Sequence, residues 1–179
     1  MKRWFTGAAL SLLVAAPALA ALPVGAPAPE FEAQASLGGK QFTFNLAQAL
    51  KKGPVVLYFY PAAFTKGCTI EAHMFAEAIP QFKALGATVV GVSHDDIATL
   101  DRFSVSECQS KFAVAADPDQ KVMKAYDAVL AQKPEYANRT SYVITPGGRI
   151  ALEYTSMDPS HHVENTLAAL KAWKSGRKG

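Results

Sequence analysis

The sequence predicts an α/β domain built on a largely parallel sheet covered on both faces by helices. Three observations carry this. The runs "PVVLYFY" (54–60), "ATVVGVS" (87–93) and "AVAAD" (113–117) are short, continuous and apolar. The first two are also rich in β-branched or aromatic residues, the composition of strands buried on both faces. Stretches with helical spacing separate these runs, and the order strand–helix, three times over, suits parallel pairing with crossover connections. A length of 179 residues fits one domain better than two.

Taken in order, the first segment stands apart from that domain. Lys2 and Arg3 precede a short apolar core at Gly7–Ala16, Pro17 breaks it, and Ala18-Leu19-Ala20 has the small-x-small pattern of a cleavage site. Residues 1–20 are therefore expected to be an export signal, and residues 21–179 one exported domain, in a bacterial periplasm. "ALPVGAPAPEF" reads as an extended lead-in. In "QFTFNLAQAL", Phe42 and Phe44 alternate as in a short strand before a brief helical turn. After the central strand at 54–60, Phe75, Ile79, Phe82 and Leu85 recur at helical spacing; Pro80 is expected to kink or split that helix and Gly86 to end it. "HDDIATLDRFSVSECQSKF" predicts a helix with acidic residues near its start. "PDQKVMKAYDAV" predicts a short helix, and "TSYVITPGGRIALEY" a hairpin turning on Pro146-Gly147-Gly148. "SHHVENTLAALKAWK" predicts the final helix.

Charge excludes some functions. The chain has 18 basic and 15 acidic residues, and loss of Lys2 and Arg3 would leave 16 against 15. That balance carries no electrostatic footprint for nucleic acid or anionic membrane, and the basic tail "KAWKSGRKG" reads as a solvated end. Two cysteines, Cys68 and Cys108, survive signal removal. In an oxidising compartment they could form a structural bridge worth about 4 kcal/mol; Cys68 could equally be packing, or a nucleophile.

Cys68 falls where a strand hands over to a helix, whose free N–H groups favour an anion. For a thiol in general, lowering the pKa from about 8.5 to about 6 raises the thiolate fraction at pH 7 roughly thirtyfold. Falling nucleophilicity removes roughly tenfold of that, so the net gain is only about threefold. A fast thiol enzyme therefore needs fixed donors around the reacting atoms. Thr65, one turn before Cys68, can donate a hydroxyl proton to a bound oxygen. Pro61 can shield the sulfur from water, and Arg139, in "NRTSYVI" just before a strand, can supply a cation.

These residues resemble a known family. "PAAFTKGCTIEA" is similar to the peroxiredoxin signature Pro-x-x-x-Thr-x-x-Cys, with Pro61, Thr65 and Cys68 in register; "LGATVVGVS", "ADPD" and "RTSYVI" follow in the expected order. The chain resembles the peroxiredoxin Q, or bacterioferritin comigratory protein, branch from about Gly25 to the final helix. The resemblance implies a thioredoxin-like fold with a central mixed sheet and helices on both faces. It also implies a thiol peroxidase in which the Cys68 thiolate attacks hydrogen peroxide or an organic hydroperoxide and becomes a sulfenic acid. Thr65, Arg139 and backbone N–H groups would hold the oxygens. Many members carry a second cysteine five residues after the first, where this chain has His73. Other members resolve through a cysteine on the next helix, which is where Cys108 is expected, so a Cys68–Cys108 disulfide is implied. The alternative is a one-cysteine enzyme with Cys108 structural. The implied partners are the peroxide and a thiol or thioredoxin-like electron donor, acting on a monomer that binds no cofactor.

The remaining residues are weaker candidates. His73 points about 140° from Cys68 on an ideal helix and reads as a surface or packing residue. His161-His162 lack ligand spacing, His94-Asp95-Asp96 reads as a turn with helix-start acids, and no metal site is expected. Glu71 either braces Arg139 or is an ordinary first-turn acid. "NRT" matches a glycosylation sequon by chance, since a glycan beside Arg139 would obstruct the pocket. A thioredoxin-type oxidoreductase would need Cys-x-x-Cys, and Glu71 stands at that spacing; a copper-binding relative would need a cysteine where Ala72 stands. A non-enzymatic binding module would leave Pro61, Thr65 and Arg139 without a reason to coincide.

Overall fold

A computed structural model of the chain describes residues 21–176. The export signal read at residues 1–20 lies outside the described residues. The lead-in at 21–31 has no regular element, as expected, and is tied down by a bridge between Pro27 and Arg149.

The elements in chain order are β1 (Glu32–Leu37), β2 (Lys40–Asn45), α1 (Leu46–Leu50), β3 (Val55–Phe59), α2 (Lys66–Ala84), β4 (Thr88–Ser93), α3 (Ile97–Ser106), β5 (Ala113–Ala116), α4 (Lys121–Ala125), β6 (Thr140–Ile144), β7 (Ile150–Thr155), a 3-10 turn (Pro159–His161) and α5 (His162–Gly176). The strands form one seven-stranded sheet in the order β2-β1-β5-β4-β3-β6-β7. β4 is parallel to both β3 and β5, whereas every other pair is antiparallel. The mixed, thioredoxin-like sheet is thus present, but the largely parallel pattern holds only for its three central strands. The edges are hairpins, and a tight hairpin can only pair its strands antiparallel.

One of those hairpins was not anticipated. β1, "EAQASL", buries the adjacent small residues Ala35 and Ser36 and shows no apolar alternation. The available signal was Gly38-Gly39, both left-handed (φ 59° and 76°), which make the two-residue turn into β2.

β3 divides the core. Val56, Tyr58 and Tyr60 pack with residues of α2, α3 and α5; Val55, Leu57 and Phe59 pack with residues of α1 and α4. That is the period-two alternation of a strand covered on both faces. α2 runs unbroken for 19 residues with Pro80 exposed inside it, so Pro80 does not split the helix. Gly86 (φ 77°) follows its end, with Ala87 N–H bonded back to the Phe82 carbonyl. α3 stops at Ser106, earlier than predicted, because Gln109 and Ser110 are left-handed (φ 53° and 55°) and cannot continue a helix. Cys108 therefore lies in the turn beyond α3, not on it.

The seam between β3 and β4 is tight. Gly91 lies opposite Tyr58, and a Cβ on it would sit 2.7 Å from the Tyr58 ring. That ring is buried and stacked 4.3 Å from Phe75, so it has nowhere to go. Gly91→Ala is expected to destabilise the fold by about 1–3 kcal/mol. Thermal denaturation should show a Tm lower by roughly 3–10 °C, and an unchanged Tm would contradict the packing described.

Candidate active site

β3 delivers the chain to the site. After Tyr60, whose N–H is held by the Val92 carbonyl, residues 61–65 turn into α2. The turn is pinned to the end of β4. Asp95 accepts from Ala63 N–H (2.8 Å) and from the Ser93 hydroxyl (2.7 Å), and His94 Nδ1 lies 3.0 Å from the Pro61 carbonyl. A carbonyl only accepts, so Nδ1 carries the proton there. The sequence reading treated His94 and Asp95 as plain turn residues; Asp96 does cap α3, accepting from Thr99 N–H. Phe64 sits in the left-handed region (φ 62°), a conformation costing a bulky residue about 1–3 kcal/mol. Its ring is braced edge-on against Phe103 at 5.2 Å.

Thr65 is the N-cap of α2, but its side chain makes no capping bond. The hydroxyl instead donates to the Ala62 carbonyl at 3.0 Å. Its one proton is thereby committed to the backbone, leaving the hydroxyl's lone pairs free to accept. The first helical bond of α2 runs from Thr69 N–H to the Thr65 carbonyl, so the amides of Lys66, Gly67 and Cys68 have no carbonyl of the helix to bond. Cys68 stands in that first turn, buried, as a free thiol.

Arg139, immediately before β6, reaches the sulfur because Thr140 pairs with Phe59 at the end of β3. Its guanidinium is buried and each nitrogen has a partner. Nη2 lies 3.4 Å from Cys68 Sγ, Nη1 donates to Glu71 Oε2, and Nε donates to the Met157 carbonyl at 3.1 Å. Such a planar fork has one orientation. Gly67 makes room for it, since a Cβ there would lie 3.0 Å from Nη2. Glu71 is thus the brace of Arg139. Pro61 is half-buried at the start of the turn. His73 points elsewhere, to Glu107 (3.0 Å).

Cys108 is fully buried in the same core cluster as Cys68, and no disulfide joins them. Burial, helped by the charge of Glu107, pushes the Cys108 thiol far up. The structure therefore brings Cys68, Thr65 and Arg139 to one turn and leaves Cys108 inside, beyond the end of α3.

His162, the first residue of α5, also belongs to the site. It is buried, with Nδ1 2.8 Å from Ser141 Oγ and 3.6 Å from Glu71 Oε1, and Nε2 2.9 Å from the Ser156 carbonyl. Its lack of metal-ligand spacing gives it no mark as a functional residue in the sequence. The signal was its register with the buried stripe Val163, Thr166, Leu167 and Leu170. Burial pushes Glu71 up to about 8, with Arg139 pulling the other way, and pushes His162 down to about 4. At Glu71 the loss of hydration outweighs the opposing pull of the Arg139 charge and hydrogen bond.

Comparison with known proteins finds relatives of the chain. Residues 24–153 match the model of the AhpC/TSA family. Peroxiredoxin Bcp of Xanthomonas campestris pv. campestris is 32% identical over 152 residues, covering 82% of this chain and 92% of that protein. Chloroplastic peroxiredoxin Q of Populus jackii is 33% identical over 131 residues, covering 73% of this chain and 61% of that longer protein. Among solved structures, peroxidoxin BcpB of Mycobacterium tuberculosis superimposes with a TM-score of 0.76 at 28% identity, covering 83% of this chain and 96% of that one.

The buried acid and imidazole set a pH dependence of stability. On unfolding they return to ordinary values of 4.5 and 6.5. Between those two values the folded chain holds its proton on Glu71 and the unfolded chain on His162, so the contributions cancel. From pH 6.5 to about 8 the folded chain holds one proton more, and stability falls as pH rises. Denaturant titrations should show wild type losing up to about 2 kcal/mol across that window relative to Glu71→Gln. Equal slopes would mean that Glu71 is already ionised below pH 6.5.

Proposed function

Since the chain belongs to the AhpC/TSA family of peroxiredoxins, which are thiol peroxidases, we propose that Cys68 is its peroxidatic residue and Cys108 its resolving one. The observation that carries this reading is the Arg139 guanidinium, buried in a fixed fork 3.4 Å from Cys68 Sγ. The Cys68 thiolate attacks one peroxide oxygen, the O–O bond breaks, and the sulfur, oxidised by two electrons, becomes a sulfenic acid. The other oxygen leaves as hydroxide or alkoxide and takes up a proton. Arg139 and the unbonded amides of the first turn of α2 stabilise the charge moving onto that oxygen. Thr65 accepts the hydrogen bond of the peroxide O–H, and Pro61 screens the sulfur from water.

The Cys108 thiol then displaces water from the sulfenic acid, giving a Cys68–Cys108 disulfide that an external dithiol reduces. In this reading the turn that holds Cys108 opens to let the sulfurs meet, and the left-handed residues Gln109 and Ser110 support such an opening. Its complete burial favours the second reading, in which Cys68 works alone and an external thiol reduces the sulfenic acid directly. The substrate is hydrogen peroxide or an organic hydroperoxide, and the donor is a thiol or thioredoxin-like protein. A monomer is proposed from the resemblance to the peroxiredoxin Q branch. Export to a bacterial periplasm rests on the basic, apolar and Ala-Leu-Ala segments of residues 1–20.

Intact-mass analysis of reduced, alkylation-trapped protein after one equivalent of hydrogen peroxide tests the cycle. A species two hydrogens lighter with Cys68 linked to Cys108 is expected. One added oxygen at Cys68 with Cys108 alkylated would replace it with the one-cysteine reading, and no reaction within minutes would end the assignment of Cys68. Arg139→Gln should lower the second-order rate constant with hydrogen peroxide by at least about 100-fold, the scale of losing an oxyanion donor.

A further inference from the structure

The two oxygens of Glu71 have unequal surroundings. Oε2 accepts from Arg139, while Oε1, equally buried, has no hydrogen-bond partner. His162 Nδ1 lies 3.6 Å from it. Nε2 of that ring lies 2.9 Å from the Ser156 carbonyl, which can only accept, so the neutral ring carries its proton on Nε2 and turns a lone pair towards Glu71. If Glu71 is ionised, lone pairs face lone pairs across this contact. One proton on Oε1 removes the conflict, and closing the gap by a few tenths of an ångström completes a hydrogen bond.

We propose that His162 is a positioning residue of the peroxidase site: its Nδ1 holds Glu71 as a neutral acid and so leaves the charge of Arg139 to Cys68 and the peroxide. This rests on the roles given above to Cys68 and Arg139. Charge counting supports it. Arg139 is one buried cation beside two groups that can become anions, and a dry site tolerates one unbalanced charge poorly. With Glu71 neutral, the Cys68 thiolate is the sole counter-ion of Arg139. With Glu71 ionised, that charge is divided. Burial acts in the same sense on both partners, favouring the uncharged acid and the uncharged imidazole.

Ser141 competes for the same lone pair. Its Oγ lies 2.8 Å from Nδ1, so an ionised Glu71 leaves Nδ1 to the serine hydroxyl and a protonated Glu71 claims it. The other groups facing the pair are Tyr58 from β3, kept uncharged by burial, and Tyr154 from β7, edge-on to the imidazole at 4.8 Å. Asp158 precedes the 3-10 turn and His161 ends it, both exposed. Arg139 and Cys68 complete the set.

Infrared titration of the reduced, full-length protein reads the pair directly, with Glu71→Gln as the blank. Wild type should show a protonated-carboxyl band that is lost with a midpoint near pH 8 and that the blank lacks. In His162→Phe the midpoint should fall by at least about one pH unit, and the rate constant with hydrogen peroxide at pH 7 by at least about tenfold. Ser141→Ala, which removes the competitor and also serves if His162→Phe does not fold, should raise the midpoint. Absence of the band at neutral pH, or a midpoint that neither variant moves, overturns the proposal. Because the titration needs no turnover, an unreactive Cys68 would sink the peroxidase roles while leaving the Glu71–His162 pair still readable.

Discussion

A guanidinium buried among helix, strand and turn is the constraint on which the rest of this structure depends. Arg139 gives up its hydration and is repaid only by three partners from two separate segments: Cys68 and Glu71 of α2, and the Met157 carbonyl beyond β7. Leaving such a charge without one partner costs about 3–5 kcal/mol. The contact therefore fixes the position of α2 against the β6–β7 hairpin, and in the proposed cycle it also prepares the reaction. Under that proposal folding and chemistry share one interaction.

The same economy runs through the turn before α2. Phe64 is held left-handed, and that strain persists because the turn is fastened from outside, by Asp95 and His94 at the end of β4 and by Phe103 on α3. The parallel β3–β4 pair thus has a second task. It brings the carboxyl end of one strand beside that of its neighbour, so residues following β4 can brace the loop following β3.

Much of this was legible in the sequence, for physical reasons. β3 and β4 announce themselves because strands buried on both faces have no polar alternation. The placement of Cys68 at a strand-to-helix junction and of Arg139 before a strand followed from local pattern and family signature. What escaped depends on which faces meet. β1 is hidden because small residues suffice beneath α3. Glu71 could equally have been an exposed first-turn acid until its helix was docked. Gly67 matters only once Arg139 lies across it, and His162 only once α5 sets it against Glu71. The end of α3 was misplaced because two left-handed residues without a glycine leave no compositional mark.

The turn that holds Cys108 carries a consequence for the lifetime of the enzyme. In the proposed cycle, a newly formed sulfenic acid waits while Cys108 is released from the core, from the backbone bond to Phe103 and from the neighbouring His73–Glu107 contact. During that wait a second peroxide molecule can carry the sulfur on to sulfinic acid, which thiols do not reverse. The branching between repair and self-inactivation is then set by how readily a short segment melts. Under that cycle, a tighter fold around Cys108 would make a sturdier protein and a shorter-lived catalyst.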